Sequence, residues 1–372
     1  MTNPKTGAQA EMLANRLIKR YRHLRKWARR VGAGVYRLYD RDIPEIPLVL
    51  DLYSGEGPGG QAAVSGALYQ RPYDKNETEE AAWLHVMRAA IAGALEIPQA
   101  EIYLKERRRL RNRQEGPAQC RRQDTAAGTG PQDVAAGTGR TWREIREGGL
   151  RFRVNLSDYL DTGLFPDRRL LRAQIQRKAP GKRVLNLFCY TGSFSVYAAA
   201  GGAAAVDSVD MSNTYLDWAA QNFGLNTMTA RRLDTQGFFA RSGGGRSPAP
   251  PLSLIRADVL RFLDEAQRAS RGNVPGWDLI MLDPPTFSNS KKMSGTLDIR
   301  RDHRELIGRC LPLLSPGGVL YFSSNARGFR LDRESLERFP NFGITDLGPG
   351  LVDEDFRGKR PPACYLFQRD AP

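Results

Sequence analysis

The chain is poor in the side chains that hold metals or cross-link a fold. Only 4 cysteines and 3 histidines occur in 372 residues. Cys120, Cys189, Cys310 and Cys364 lie far apart with no CxxC pair, and His23, His85 and His303 are as scattered. That spacing argues against a zinc site and against a disulfide framework, so a reduced, cytoplasmic protein without structural metal is expected. Long apolar runs are missing too; none approaches the roughly 20 residues that a bilayer crossing takes, and no membrane partner is expected. The opening MTNPKTGAQAEM is polar and lacks the apolar centre of an export signal. Acidic residues are outnumbered, 41 against 56 Lys and Arg, which leaves a formal charge of +15. Such a balance suits a polyanionic partner, unless the charge serves solubility alone. With 41% apolar residues the chain has material for more than one core, and its length suits two domains.

The charge is unevenly distributed. Over 11–31, Leu13, Leu17, Tyr21, Leu24, Ala28 and Val31 recur at three- and four-residue intervals and predict a helix. Its other face carries Arg16, Lys19, Arg20, Arg22, Arg25, Lys26, Arg29 and Arg30. These charges repel one another unless something neutralises them; nucleic-acid phosphate is one reading and a solvated face the other. A basic helical extension over 1–34 therefore precedes a small mixed α/β region over 35–155. There VYRLYD, PLVLDLY, AAVSGALY, EIYLKERR, REIREGG and LRFRVNL read as strands. ETEEAAWLHVMRAAIAGALE reads as a helix with Thr78 as its N-cap. KERRRLRNR (105–113), which includes Arg107 and Arg109, is a second basic run. Residues 114–140 repeat AAGTG and read as a low-complexity, disordered insertion.

From 156 to 372 the rhythm becomes strand–helix alternation. RVLNLFCYTG, AAAVDSVDMS, LSLIRADV, WDLIMLDPP and GGVLYFSSN read as successive strands, which implies an α/β domain with a mostly parallel sheet. ARSGGGRSPAPP (240–251) reads as a surface loop. A parallel sheet binds its ligand beyond the carboxyl ends of its strands. Gly192 follows the first strand and allows close backbone approach, but the segment is not GxGxxG, which argues against a nicotinamide cofactor. Asp210 ends the second strand, where a carboxylate can accept both hydroxyls of a ribose. Asp258 ends the third, placed to accept from an adenine amino group. Each acid alone would read as a helix N-cap; Asp210 and Asp258 in register with Asp283 favour a site. Asp283, Pro284 and Pro285 make a stiff loop short of N–H donors, Phe287 can stack on a base, and Lys291 and Lys292 can meet phosphate.

Taken together, EMLANRLIKR, SDYLDTGLFPDRR, LNLFCYTGSFSV, VDMSNTYLDWA, LDPPTFSNSK and RGFR run over nearly the whole chain. They resemble the C-terminal, guanine-N7 half of the bifunctional bacterial 23S rRNA methyltransferases, the RlmKL family. The resemblance implies a class I S-adenosylmethionine-dependent methyltransferase domain, Rossmann-like, behind a smaller RNA-binding domain. It implies that S-adenosylmethionine sits over 186–194, with Asn186, Phe188, Thr191, Gly192 and Ser193 around it, Asp210 at the ribose and Asp258 near the adenine. Asp283, Pro284 and Phe287 would face the base. Asp167 and Arg168 would border the methionine end of the cofactor. The implied partner is 23S rRNA, with a separate guanine-N2 methyltransferase as a second. The chain departs from the family at Ser324 and Ala326, where the family carries an amide and a cation.

Three rival readings stay open. Cytosine-C5 methylation needs a thiolate nucleophile, and Ser323-Ser324 stand where the similar cytosine enzymes carry a cysteine. Exocyclic-amine methylation also suits a DPP loop, although Thr286 separates the prolines from the aromatic ring. A noncatalytic RNA-binding assembly factor is the third.

Overall fold

The computed structural model describes residues 4–55, 60–69, 76–107, 142–159, 161–242, 251–270, 276–288, 296–339 and 341–370. The chain divides into two compact units: Met1–Pro166 with Glu354–Arg357, and Asp167–Asp353 with Gly358–Pro372. The insertion at 114–140, Cys120, Arg109 and Lys291 fall outside the described residues, as does most of 240–251.

In the first unit, α1 (Pro4–Val31) buries Leu13, Leu17, Leu24, Trp27 and Ala28. Tyr21 is only half-buried and Val31 is exposed, so Trp27 takes the place in the stripe expected of those two. Strands β1 (Val35–Asp40), β2 (Leu48–Tyr53), β3 (Ala63–Tyr69) and β4 (Ile102–Arg107) form a sheet in that order. The first three are antiparallel, whereas β3 and β4 run parallel because α2 (Glu77–Leu95) carries the chain back between them. Trp83, Met87 and Ile91 of α2 share one core with α1 and the sheet, each such side chain contributing about 1.5–3 kcal/mol on full burial. The α2 N-cap is Asn76, not Thr78: its side chain accepts from Glu79 N at 2.7 Å. The Thr78 hydroxyl lies two residues too late for that role.

Strands β5 (Trp142–Glu147) and β6 (Leu150–Asn155) form a hairpin. Gly34 donates to Arg146 O at 2.7 Å. A Cβ on Gly34 would sit 2.1 Å from that oxygen, so only glycine allows the chain after α1 to lie against the hairpin. Glu354–Arg357 completes this unit. Asp355 is buried, its carboxylate accepting from Arg37 N at 3.0 Å, and Arg37 lies over the Phe356 ring.

The second unit opens with α3 (Arg169–Lys178) and continues through β7 (Arg183–Leu187), α4 (Ser193–Ala200), β8 (Ala205–Asp210), α5 (Asn213–Leu225), β9 (Arg231–Asp234) and α6 (Thr235–Ser242). Then follow β10 (Leu252–Arg256), α7 (Val259–Ser270), β11 (Trp277–Leu282), the short pair β12 (Phe287–Ser288) and β13 (Leu297–Asp298), α8 (Ile299–Cys310), β14 (Leu314–Ser324), α9 (Arg333–Glu337), β15 (Phe342–Asp346) and β16 (Ala363–Arg369). The main sheet has the order β15-β16-β14-β11-β7-β8-β10-β9. The pairings from β14 to β9 are parallel, and β16 joins antiparallel. The short β9 and the β15–β16 edge were not anticipated. Along β11, Leu279 and Met281 enter the core under α3 and α4, while Ile280 and Leu282 enter the core under α7 and α8. Burial on both faces is why these strands read as continuous apolar runs. β7 lies between β8 and β11, so the strand order switches there, and the edge where such a sheet takes its ligand lies beyond the carboxyl ends of β7, β8, β10 and β11. Among the described residues no helix is long and apolar enough to cross a membrane, and no cluster of three or more His, Cys, Asp or Glu could hold a metal.

Candidate active site

This edge begins at a tight turn. Asn186, buried at the end of β7, donates to Ser195 Oγ at 2.8 Å, and Ser208 Oγ donates to the same oxygen at 2.7 Å. The carbonyl oxygen of Asn186 is buried without a protein partner. Beyond it Phe188, Tyr190 and Gly192 have φ of 55°, 52° and 73°. A left-handed conformation in a non-glycine residue costs about 1–3 kcal/mol and persists only where the surroundings impose it. Here Cys189 N donates to Val209 O, Gly192 N to Cys189 O, Asn222 Nδ2 to Thr191 O and Tyr190 N to Asp210 Oδ2, at 2.8–3.0 Å. A Cβ on Gly192 would meet Ala219 Cβ at 2.8 Å, so helix α5 packs against the turn as closely as a glycine permits. Thr191 is buried; Phe188 and Ser193 are half-buried.

Asp210 braces this turn as well as ending β8. Its two oxygens accept from Tyr190 N and Ser212 N, both at 2.9 Å. Burial raises its carboxyl above the ordinary range, against those backbone donors. Asp258 is a helix cap with one oxygen to spare. Its Oδ1 caps α7, accepting from Leu260 N at 2.8 Å and Arg261 N at 3.3 Å, whereas its Oδ2 is buried with no partner. An unpaired buried acceptor costs free energy unless a donor arrives, and an adenine amino group is such a donor. The two orphaned acceptors, Asn186 Oδ1 and Asp258 Oδ2, together with the glycine cradle, fit an adenosyl ligand.

The loop after β11 differs from expectation at its first residue. Asp283 is gripped by Arg168, Nε to Oδ2 at 3.3 Å and Nη2 to Oδ1 at 3.2 Å, and Ser323 Oγ donates to Oδ1. Arg168 Nη1 also donates to Asp167 Oδ2 at 3.0 Å. Burial pulls the guanidinium pKa down, but Asp283 and Asp167 outweigh it and hold the value above the ordinary one. Arg168, expected beside the cofactor, thus spends its donors on two carboxylates. The pairing spans 115 positions, and nothing local in DTGLFPDRR signals it. Pro284 is buried, Pro285 exposed, and Phe287 is 54% exposed, free to stack. At the end of β14, Ser324 Oγ accepts from Ala326 N at 3.1 Å, and Phe329 packs edge-on against His303.

The described cysteines are unsuited to nucleophilic attack. Burial raises the thiols of Cys189, Cys310 and Cys364, the last to about 12, and a thiolate is the reactive form.

In the first unit, the basic face of α1 is divided. Arg16 turns inward to Asp42 at 2.7 Å, and Arg20 donates to Asp355 O at 3.0 Å. Lys19, Arg22, Arg25, Lys26, Arg29 and Arg30 are exposed, and among the described residues none pairs with a carboxylate. In KERRRLRNR, Lys105 is buried and its amine donates to Tyr159 O, so it is not part of a basic surface. Arg107 pairs in β4 opposite Tyr69. Arg146 and Arg151, which face each other across the β5–β6 hairpin, are exposed. Their like-charged opposition was missed because register is invisible before the hairpin is formed.

Residues 122–258 match the family model of S-adenosylmethionine-dependent methyltransferases. The chain is 42% identical over 352 residues to the ribosomal RNA large subunit methyltransferase K of Neisseria meningitidis serogroup B, covering 95% of this chain and 85% of that protein. It is also 42% identical over 360 residues to the ribosomal RNA large subunit methyltransferase K/L of Pseudomonas putida, covering 96% of this chain. There the chain spans only 42% of the relative's length. A solved putative methyltransferase from Streptococcus mutans superposes with a TM-score of 0.67 at 21% identity, over 96% of this chain and 81% of that one, and shares the fold.

Proposed function

Because the chain belongs to the ribosomal RNA large subunit methyltransferase K family, we propose that it methylates N7 of a guanine in 23S rRNA. S-adenosylmethionine supplies the electrophilic methyl group. In this reading Asp210 takes the ribose hydroxyls, Asp258 Oδ2 takes the adenine amine, and Asn186, Phe188, Thr191, Gly192 and Ser193 line the cofactor's path.

The engagement of Asp283 carries the choice of N7. An exocyclic amine would draw on an acceptor at the substrate loop, and Arg168 and Ser323 fill three of the roughly four acceptor positions of Asp283, which makes its carboxylate a poor anchor for an amine. The N7–O6 edge of guanine presents acceptors alone and asks for none. Its N7 lone pair forms the new N–C bond as the methyl–sulfur bond breaks, and no proton leaves N7. No general base is therefore assigned. Asp283, Pro284 and Phe287 position the base, and positioning of this kind supplies about 7–11 kcal/mol. The buried, high-pKa thiols oppose a cytosine-C5 mechanism.

Arg22, Arg25, Arg29 and Arg30 meet RNA phosphate, whereas Arg151 on the hairpin is paired with Glu144. Arg107, Arg109 and Lys291 belong to the same proposal by sequence. The test is chemical: large-subunit rRNA incubated with the enzyme and cofactor is reduced with borohydride and treated with aniline. Strand scission at one guanine supports N7; incorporated methyl without scission would transfer the reading to an amine or to C5.

A further inference from the structure

We propose that Arg168 is a positioning residue of the substrate loop, acting through Asp283, and not a contact to the cofactor. The inference rests on the methyltransferase reading and adds to it the device that holds the loop in place.

Two consecutive prolines deprive the loop of the backbone donors that would otherwise fasten it. Its fastenings are then few. At the far end, Ile299 N donates to Thr286 O at 3.2 Å, and Phe287 pairs with Asp298. At the near end the Asp283 carboxylate holds the loop, pulled from one side by the Arg168 fork and from the other by Ser323 on β14. Arg168 is 3% exposed and leaves its 3₁₀ turn (Pro166–Arg168) just where α3 begins. Its third nitrogen is occupied by Asp167. The geometry demands arginine: a planar fork fixes both the position and the rotation of a carboxylate, whereas a lysine ammonium is a single point charge. Release of the Asp283 carboxylate would leave the near end of the loop without its side-chain anchor, and the backbone that carries Pro284 and Phe287 free to shift.

Arg168→Lys, Asp283→Asn and the double variant in the full chain test this assignment. Turnover is scored as methyl incorporated at any atom of rRNA, cofactor affinity by calorimetry, and RNA affinity by filter binding. Arg168→Lys is expected to lower kcat roughly ten- to hundredfold, the scale of an ångström-level misplacement. Cofactor and RNA dissociation constants should stay within about twofold, and the double variant should be no worse than the poorer single one, as for residues acting as a unit. Should Arg168→Lys weaken cofactor binding in step with kcat, Arg168 is a cofactor contact and the proposal falls. An unchanged kcat, or full additivity in the double variant, also overturns it. Ser323→Ala removes one hydroxyl only and guards against misfolding of the other variants. It should lower kcat by a smaller factor with cofactor affinity intact; wild-type kcat in this variant counts against the proposal. A wild type that methylates an atom other than N7 would contradict the proposed function while leaving these ratios readable. If the wild type transfers no methyl at all, the calorimetric arm still separates a cofactor contact from a residue without one.

Discussion

Two arginine-rich helices, α1 and the start of α3, use the same residue in opposite ways. On α1, Arg22, Arg25, Arg29 and Arg30 project into solvent and find no carboxylate among the described residues. At α3, Arg168, Arg169 and Arg172 are 3%, 5% and 1% exposed. Arg168 holds Asp283 and Asp167, Arg169 meets Asp353 at 2.7 Å, and Arg172 lies over the Tyr197 ring. A buried guanidinium depends on the protein for its partners, because its desolvation is not otherwise offset; even so, Arg169 Nε and Arg172 Nη2 are buried without a hydrogen-bond partner. An exposed one costs little alone and is available to a polyanion. Charge count is therefore a poor guide to RNA contact, and the disposition of acids around each arginine is a better one.

That contrast makes graded predictions. The largest effect should follow Arg168→Met, which leaves the half-buried Asp283 carboxylate with Ser323 alone and should cost about 3 kcal/mol, the lower end for breaking a buried pair. Arg29→Met should shift stability by no more than about 0.5 kcal/mol. Urea melts of the two variants measure the difference, and equal losses would erase the distinction between the helices.

Next comes Asp210. Its two backbone donors make it part of the turn as well as of the pocket, so Asp210→Asn is the cleaner change. Loss of charged hydrogen bonds to a ribose should weaken S-adenosylmethionine by about 1.5–3 kcal/mol, read by calorimetry; because the amide nitrogen cannot accept from the second backbone N–H, the melt should also fall, by about 1–3 kcal/mol. Phe287→Ala should lower kcat/KM by an amount equivalent to about 1–3 kcal/mol, the worth of base stacking, while leaving cofactor affinity alone.

What the sequence revealed follows the same division between local and distant. Asp210, Asp258 and Asp283 were legible because each closes an apolar run that becomes a strand, and in a parallel sheet those ends share one edge. The Gly192 turn was legible for the same reason, although the left-handed conformations of Phe188 and Tyr190 were not. The pairing of Arg168 with Asp283 was not legible because its partner lies 115 positions away; a charged motif says that a partner exists, not which one. Asn76 lost to Thr78 because both are capping residues, and only the backbone shows which one precedes the first turn. The return of Glu354–Arg357 to the first unit has no local signal at all. Asp355 became buried through contacts with Arg20 and Arg37, more than 300 positions earlier.

The smallest effect per residue belongs to α1. Each exposed arginine should contribute no more than about 1 kcal/mol to RNA binding at moderate salt. Neutralising Arg22, Arg25, Arg29 and Arg30 together should nevertheless flatten the dependence of log K on log salt by roughly three. Filter binding across a salt series measures it, and an unaltered slope would return the helix to a solvated face.

The central claim is guanine-N7 transfer, and one measurement meets it directly. Unmodified large-subunit rRNA is incubated with the purified chain and isotopically labelled S-adenosylmethionine, digested to nucleosides and resolved by mass spectrometry against methylated standards. The account predicts label in 7-methylguanosine, with the Asp283→Asn variant strongly reduced. Label in 5-methylcytidine or in an amine-methylated guanosine, or binding of RNA and cofactor with no label transferred, would contradict it.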